Sequence, residues 1–300
     1  MTKILDPANV AAGFRDEIRA QVAALPEPLT LLGLLSNEKG PSATYAEYTR
    51  RGCESVGVRF ELALLPRLEV EPRLRAANID PQIHGVLIYY PVFGTEQDAY
   101  LRDLVAPGKD VEGLHETWAR RLYENRRFVD DAHTKKAILP CTPLAILKLL
   151  GAAHEGASLA GKRACIFNRS EVVGRPLASM LSNDGVQVTS FDVDGPLAFE
   201  PRGATGHQVR ETSITRAEAL ASADIVITGV PSREFPLVQA HEIKAGAVLL
   251  NFSTLKNFDE SAIEKAAVFV PRVGPMTVMM ALRNTLRLYE SGLSRGAQLL

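Results

Sequence analysis

Arg163-Ala-Cys-Ile-Phe-Asn-Arg-Ser170, continuing as Glu-Val-Val-Gly174-Arg-Pro176, decides how this chain is read. A short apolar strand runs into a tight polar turn, and a helix begins near Gly174. Such a join offers backbone N–H groups to a phosphate at a helix N-terminus. Val188-Thr-Ser-Phe-Asp192 follows as a second strand ending in a carboxylate. Asp192 stands roughly 20 residues beyond Ser170, the offset of an acid that bonds adenosine ribose hydroxyls. The pair predicts a dinucleotide site. Repulsion between Asp192 and a 2′-phosphate would favour NAD over NADP, with Asp194 as the fallback acid. No G-x-G-x-x-G run is present. Asn168 and Ser170 stand where its first two glycines are expected, and Asn tolerates positive φ better than most residues. An unliganded βα turn and a loop-capping Asp192 are the plainer alternatives.

Working outward, strands at Arg163–Phe167, Gln187–Phe191, Asp224–Thr228, Ala247–Asn251 and Val268–Pro271 alternate with helices. That pattern predicts a doubly wound sheet of about five strands. Gly195–Gly206, rich in Pro and Gly, reads as a surface insertion. Upstream, helical spacing at Asn9–Leu25 and Ser42–Val56 alternates with strands at Leu29–Leu35, Val58–Leu65 and Gly85–Tyr90, and Gly57 closes the second helix. Further helices are predicted at Glu96–Leu104, Thr117–Asn125 and Leu144–Leu150, and the last stretch, Thr277–Glu290, is amphipathic. The fold class is therefore α/β in two domains. The Gly/Ala/Ser-rich connection at Gly151–Gly161 marks the hinge, dividing 1–150 from 151–276.

A length of 300 residues suffices for two substantial cores. With 34 basic and 35 acidic residues the net charge is −1, so no global field steers nucleic acid or an anionic membrane. The N-terminal residues lack a signal-peptide core, and no apolar run approaches membrane-spanning length. Cys53, Cys141 and Cys165 are widely spaced, which fits a reducing compartment and a cytoplasmic location. The histidines are dispersed and show no zinc spacing, so no metal site is expected.

Three upstream segments carry a family resemblance: Pro41-Ser-Ala-Thr-Tyr45-Ala-Glu-Tyr-Thr49, Gly85-Val-Leu-Ile-Tyr89-Tyr90-Pro91, and Lys109-Asp110-Val-Glu112-Gly113 with Pro140-Cys141-Thr142-Pro143. With Asn168-Arg-Ser170…Gly174-Arg-Pro176 and Val273-Gly274-Pro275-Met276-Thr277, the chain resembles the methylenetetrahydrofolate dehydrogenases from its first helix nearly to its end. The resemblance implies an N-terminal α/β folate-binding domain and a Rossmann NAD-binding domain. It also implies a C-terminal helix (277–300) returning to the first domain, a homodimer, and a place in one-carbon metabolism and purine biosynthesis. Bifunctional members carry a lysine where this chain has Thr49, a glutamine at Tyr89, paired glycines before the Val-Gly-Pro segment (here Pro271-Arg272), and Gly-Arg-Ser in place of Asn168-Arg169-Ser170. The combination resembles the monofunctional NAD-dependent branch of the yeast type.

Tyr45 and Thr49 stand four apart, so they share one helix face. A lysine at position 49 would exchange protons during water addition to a methenyl carbon; threonine cannot titrate near neutrality. Hydride removal from the methylene bridge leaves a stabilised cation and needs no general base, so dehydrogenase activity with NAD and little or no cyclohydrolase activity is expected. A bifunctional enzyme and a non-catalytic folate- or nucleotide-binding protein are the alternatives.

The resemblance implies that Asp110 and Glu112 hold the pterin edge and that Tyr45 stacks on the folate rings. Thr49 either bonds substrate or fills the space of the missing lysine. Strand alternation lets only one of Tyr89 and Tyr90 face the substrate, and the motif selects Tyr89. Pro271 joins the substrate set. Cys141, at a helix start, is open to a dipole-lowered thiol pKa or to a structural, lining role. The cofactor set comprises Asn168, Arg169, Ser170, Gly174, Arg175, Asp192 and Val193, with Gly229-Val230-Pro231 and Asn251-Phe252-Ser253 at strand ends and Thr277 opening the final helix. Arg169 is left to pair with Asp192 or to touch the pyrophosphate.

Overall fold

The structure is a computed structural model describing residues 2–203 and 206–295; parts of the expected insertion (204–205) and of the C-terminal stretch (296–300) lie outside it. In chain order the first elements are β1 (Lys3–Ile4), α1 (Pro7–Ala23), β2 (Thr30–Leu35), α2 (Pro41–Val56), β3 (Arg59–Leu64), α3 (Val70–Ile79), β4 (Gly85–Ile88), α4 (Gln97–Leu104), α5 (Glu116–Tyr123) and α6 (Cys141–Ala153). There follow β5 (Arg163–Phe167), α7 (Gly174–Asn183), β6 (Gln187–Asp192), β7 (Gly195–Pro201), β8 (His207–Glu211) and α8 (Arg216–Ser222). β9 (Ile225–Thr228), β10 (Val248–Asn251), α9 (Glu260–Lys265), β11 (Val268–Val270) and α10 (Gly274–Glu290) complete the order.

Two compact units form. One gathers Ala11–Arg121, Arg126–Cys141 and Thr277–Leu300, and the other Met1–Val10, Leu122–Asn125 and Thr142–Met276. The division differs from the sequence reading at three places, the shortest being Leu122–Asn125, which joins the nucleotide-type unit. The first ten residues join the nucleotide-type unit, because β1 pairs in parallel with β11. The boundary near 150 moves back to Cys141/Thr142, so the Gly151–Gly161 connection lies inside one unit instead of marking the hinge.

The smaller sheet has the order β3-β2-β4, all parallel. Every residue of β2, Thr-Leu-Leu-Gly-Leu-Leu, is buried, as a central strand covered on both faces requires. α3 has no counterpart in the sequence reading. It buries only Val70, Leu74 and Ala77, too sparse a stripe to announce a helix. Its end is held from far along the chain: the Lys109 ammonium donates to Ala77 O (2.7 Å) and Asp80 O (2.6 Å). α10 packs within this unit. A Cβ added at Gly52 of α2 would lie 2.4 Å from Val278, which measures how closely the two helices approach.

The larger sheet has eight strands in the order β1-β11-β10-β9-β5-β6-β7-β8. The first six in that order are joined by parallel pairing. The expected insertion, Gly195–Gly206, contains β7, which with β8 just beyond it forms an antiparallel meander on β6. Its prolines, Pro196 and Pro201, sit near the two ends of β7, where a missing ladder donor matters least. Beneath the sheet, Val226, Leu249, Leu220, Phe258 and Ala262 form a closed apolar core. Among the described residues no helix is long and apolar enough to cross a membrane, and no His/Cys/Asp/Glu group is arranged to hold a metal.

Candidate active site

The first unit brings Tyr45, Thr49, Tyr89, Asp110, Glu112 and Cys141 together. Residues 109–110 run beside β4 through a parallel bridge between Val86 and Asp110, and Val86 N–H donates to Lys109 O at 2.7 Å. The chain then turns sharply. Asp110 Oδ1 accepts from the N–H groups of Glu112 and Gly113 (3.0 Å each), and Oδ2 accepts from His115 N–H at 2.8 Å. Gly113 has φ 66°, and a Cβ there would meet Leu139 C at 2.8 Å. No larger residue fits the turn that brings this loop against the start of α6.

Asp110 is thus a loop cap as well as a buried carboxylate. Burial pushes its pKa up and the backbone donors pull against that. Glu112 has no such set of donors. Burial first, and then the adjacent Asp110 charge, push its carboxyl up to about 8. Of the pair, Glu112 keeps the proton near neutrality. The site therefore offers a carboxylic acid donor, Glu112, beside Asp110, whose oxygens accept three backbone N–H groups.

Tyr45 leans edge-on against Tyr89, with ring centroids 5.6 Å apart and planes at 79°. Burial raises both phenol pKa values, so both stay protonated. Thr49 lies wholly buried on the same helix face, and its hydroxyl donates to Tyr45 O at 2.9 Å. Its proton is committed to its own helix, so of the two roles left open the structure supports filling space. The Tyr89 hydroxyl is buried beside Thr49, whose hydroxyl pulls slightly against the burial that raises the phenol.

The alternation rule misplaces the second tyrosine. β4 ends at Ile88, so residues 89 and 90 no longer follow a strand. Burial first, and then Glu112 and Asp110, raise the Tyr90 phenol, and Glu112 acts on Tyr89 as well, so both phenols feel this acid. Cys141 opens α6, but the helix start does not activate it. The thiol donates to Val111 O at 3.1 Å, and burial followed by Glu112 and Asp110 pushes its pKa well up. Asn284 of α10, absent from the sequence reading, joins this floor by donating to Val111 O (2.8 Å) and Leu139 O (3.0 Å).

In the second unit, the β5–α7 turn forms where expected. Asn168 has φ 155° and ties two strand ends together: its amide donates to Gly229 O (3.1 Å), and its Oδ1 accepts from Ser170 N–H (3.1 Å) and Oγ–H (2.7 Å). A Cβ at Gly174 would lie 2.0 Å from Asn168 O, so only glycine lets the helix start so close to the strand end. The helix N-terminus is less open than the sequence implies. Arg175 N–H donates to Ser170 O at 3.0 Å, Gly174 N–H reaches Ser170 Oγ at 3.4 Å, and Pro176 has no N–H. The Arg175 guanidinium lies over the Tyr123 ring, 5.7 Å from its centroid.

Asp192 ends β6, and its carboxylate accepts from Arg169 N–H (2.5 Å) and Val193 N–H (2.8 Å). Val193 is fully exposed at the tip of the β6–β7 hairpin. The Arg169 side chain pairs with Asp194 instead of Asp192. Across the strand ends, Asn257 exchanges two hydrogen bonds with Val230, and Ser253 Oγ donates to Val230 O at 3.0 Å. Asn257 was not foreseen; nothing in its local sequence marks it. The Phe252 ring covers Gly229, where a Cβ would lie 1.9 Å from it, and Pro231 continues that loop while Asn251 braces the next through Leu255 O (2.9 Å).

Pro271, assigned to substrate, follows β11 in the nucleotide-type unit. Thr277, assigned to the cofactor as the opening residue of the last helix, belongs to the other unit, and α10 already begins at Gly274.

Two family models match the chain. The model for "Tetrahydrofolate dehydrogenase/cyclohydrolase, catalytic domain" covers residues 5–112, and that for the NAD(P)-binding domain of the same family covers 140–292. Methylenetetrahydrofolate dehydrogenase [NAD(+)] of Dictyostelium discoideum is 39% identical, over 97% of this chain and 95% of its own. The bifunctional protein FolD of an Azoarcus species is 32% identical over 94% of each. The solved NAD-dependent 5,10-methylenetetrahydrofolate dehydrogenase from Saccharomyces cerevisiae superposes with a TM-score of 0.88 at 36% identity, covering 97% of this chain and 98% of that one.

Proposed function

The chain belongs to the tetrahydrofolate dehydrogenase/cyclohydrolase family, and within it we propose oxidation of 5,10-methylenetetrahydrofolate to its 5,10-methenyl form by hydride transfer to NAD, with little or no cyclohydrolase activity. The observation that carries this reading is Thr49, buried beneath Tyr45 with its hydroxyl proton spent on a backbone carbonyl. Water addition to a methenyl carbon calls for a group there that exchanges protons. Thr49 does not titrate, and both neighbouring phenols have raised pKa values. Hydride transfer makes no such demand.

Asp110 and protonated Glu112 suit a heterocycle edge that carries both N–H donors and a carbonyl acceptor, as a pterin does. The Asp110 charge also favours a cation developing nearby. Tyr45 offers a ring face for stacking. On the nucleotide side, the residues present fit a dinucleotide. Gly174 lets α7 start against the end of β5, Ser170 and Arg175 stand at that turn, and Asp192 closes the strand end with an acid that accepts ribose hydroxyls and repels a 2′-phosphate. Bound NAD would supply the hydride acceptor. The chain's own residues orient the two ligands and hold the charges around them.

The test is direct. Purified protein given methylenetetrahydrofolate should form NADH far faster than NADPH, while added methenyltetrahydrofolate should decay at its uncatalysed rate. Binding of both ligands without turnover would refute the proposal. A homodimer, cytoplasmic residence and supply of one-carbon units to purine synthesis complete the proposed picture. Sedimentation, fractionation and growth on purine-free medium test them in turn.

A further inference from the structure

Asp192 is not the whole barrier to a phosphorylated cofactor. We propose that Asp194 is a second specificity determinant, acting by sequestering Arg169; this rests on the nucleotide reading above. The Arg169 side chain is only 7% exposed although it follows a strand end at the surface, and both terminal nitrogens of its guanidinium are engaged. Nη1 donates to Ser190 O (3.0 Å) and to Gly195 O (2.9 Å), and Nη2 donates to Asp194 Oδ1. Asp194 and Gly195 belong to the hairpin that starts the meander: Asp192 pairs with Gly195 across a two-residue turn of Val193 and Asp194. The same hairpin presents Asp192, whose carboxylate accepts Arg169's own N–H.

The arrangement separates two tasks. Nη1 locks the arginine to two backbone carbonyls, which fixes its position whatever occupies residue 194. Nη2 is the part that a phosphate beside Asp192 would need, and Asp194, 72% exposed, neutralises it from the solvent side. Removing Asp192 alone therefore deletes a repulsive charge but supplies no cation. Removing Asp194 as well exposes Nη2 next to the vacated acid, with the guanidinium already positioned for a charge-assisted bond.

Calorimetric titration with NADH and with NADPH tests this on wild type, Asp192→Ser, Asp192→Ser/Asp194→Asn, and the latter with Arg169→Met. The quantity read is the ratio of the NADH dissociation constant to that for NADPH. Adding Asp194→Asn to Asp192→Ser should raise the ratio at least tenfold, which is about 1.4 kcal/mol. Arg169→Met should abolish that gain. A ratio that does not respond to residue 194, or a gain that survives loss of Arg169, overturns the proposal. The second outcome would mean simple charge removal. Asp194→Ser, checked by circular dichroism, substitutes if the asparagine variant misfolds. Wild type that binds neither nucleotide would sink the cofactor reading itself. NADH binding with an unmoved ratio sinks only the role of Asp194.

Discussion

Replacing Glu112 by Gln should make the protein less sensitive to alkaline pH, and the size of the effect follows from the acid pair. The Glu112 carboxyl is pushed from 4.5 up to about 8 by burial and by Asp110. A raised folded-state value means the native protein holds this proton more tightly than the unfolded chain does. The group's contribution is therefore whole below the unfolded value and is lost as pH climbs through the folded one. At 1.36 kcal/mol per unit, a fully shielded carboxyl with these values would cost about 2.5 kcal/mol between pH 5 and pH 7. Glu112 keeps some exposure, and solvent screening reduces the expected loss to roughly 1–1.5 kcal/mol. Gln preserves the shape and a donor but cannot ionise. The difference between the two proteins isolates this one proton, since all other groups titrate in both.

The molecule supplies its own probe. Its single tryptophan, Trp118, is fully buried in the unit that holds Glu112, so urea unfolding followed by tryptophan fluorescence reports that unit. At pH 5 the midpoints of wild type and Glu112→Gln should nearly coincide. From pH 6 to 8 the variant should gain steadily. A gap that stays constant with pH, or one that favours wild type as pH rises, would refute the protonated-acid account.

Other substitutions test other parts. Gly174→Ala should cost about 1–3 kcal/mol and weaken NADH binding, because the added Cβ meets Asn168 O at 2.0 Å; unaltered binding would show that the turn yields. Asn257→Ala should cost about 1–3 kcal/mol by leaving the Val230 N–H unpaired and its carbonyl with Ser253 Oγ alone, with thermal midpoint as the readout. Thr49→Lys should destabilise the first unit, since an ammonium enters a site with no exposure, and methenyl decay should stay uncatalysed because Tyr89 still occupies the neighbouring place. Native Cys141 should resist iodoacetamide near neutral pH, its thiol being buried and held protonated; fast alkylation would contradict that.

The parallel strands were legible because burial on both faces writes them as unbroken apolar runs, as in Ile-Val-Ile-Thr of β9 and Val-Leu-Leu-Asn of β10. The misses share a different cause: their stability is not local. β1 has two residues and exists only through β11. α3 depends on Lys109, some 30 residues away. The meander is built from residues that local propensity assigns to loops, and tertiary pairing overrides it. In the site, Tyr45, Asp110 and Asp192 were visible through motif and spacing. Asn257 and Asn284 were not, because an asparagine bonded to distant backbone has no local signature.

The two units solve one problem in the same way. Asp110-Val-Glu112 and Asp192-Val-Asp194 both place an acid at a strand-side turn with a second acid two residues on. In each, the first carboxylate accepts backbone N–H bonds and shapes the turn, while the second takes its state from a neighbour. Glu112 is protonated beside Asp110, and Asp194 is matched to Arg169. Loss of the first acid therefore removes a cap and a charge together, so its variants should move stability and ligand affinity in parallel. Loss of the second leaves the turn's backbone bonds intact, and its effects should separate: a pH-dependent stability change at Glu112, a change of cofactor ratio at Asp194. Should Asp192→Asn, which keeps the acceptor oxygen, retain stability yet lose NADH affinity as far as Asp192→Ser does, charge outweighs the cap at that turn, and the parallel between the two units fails there.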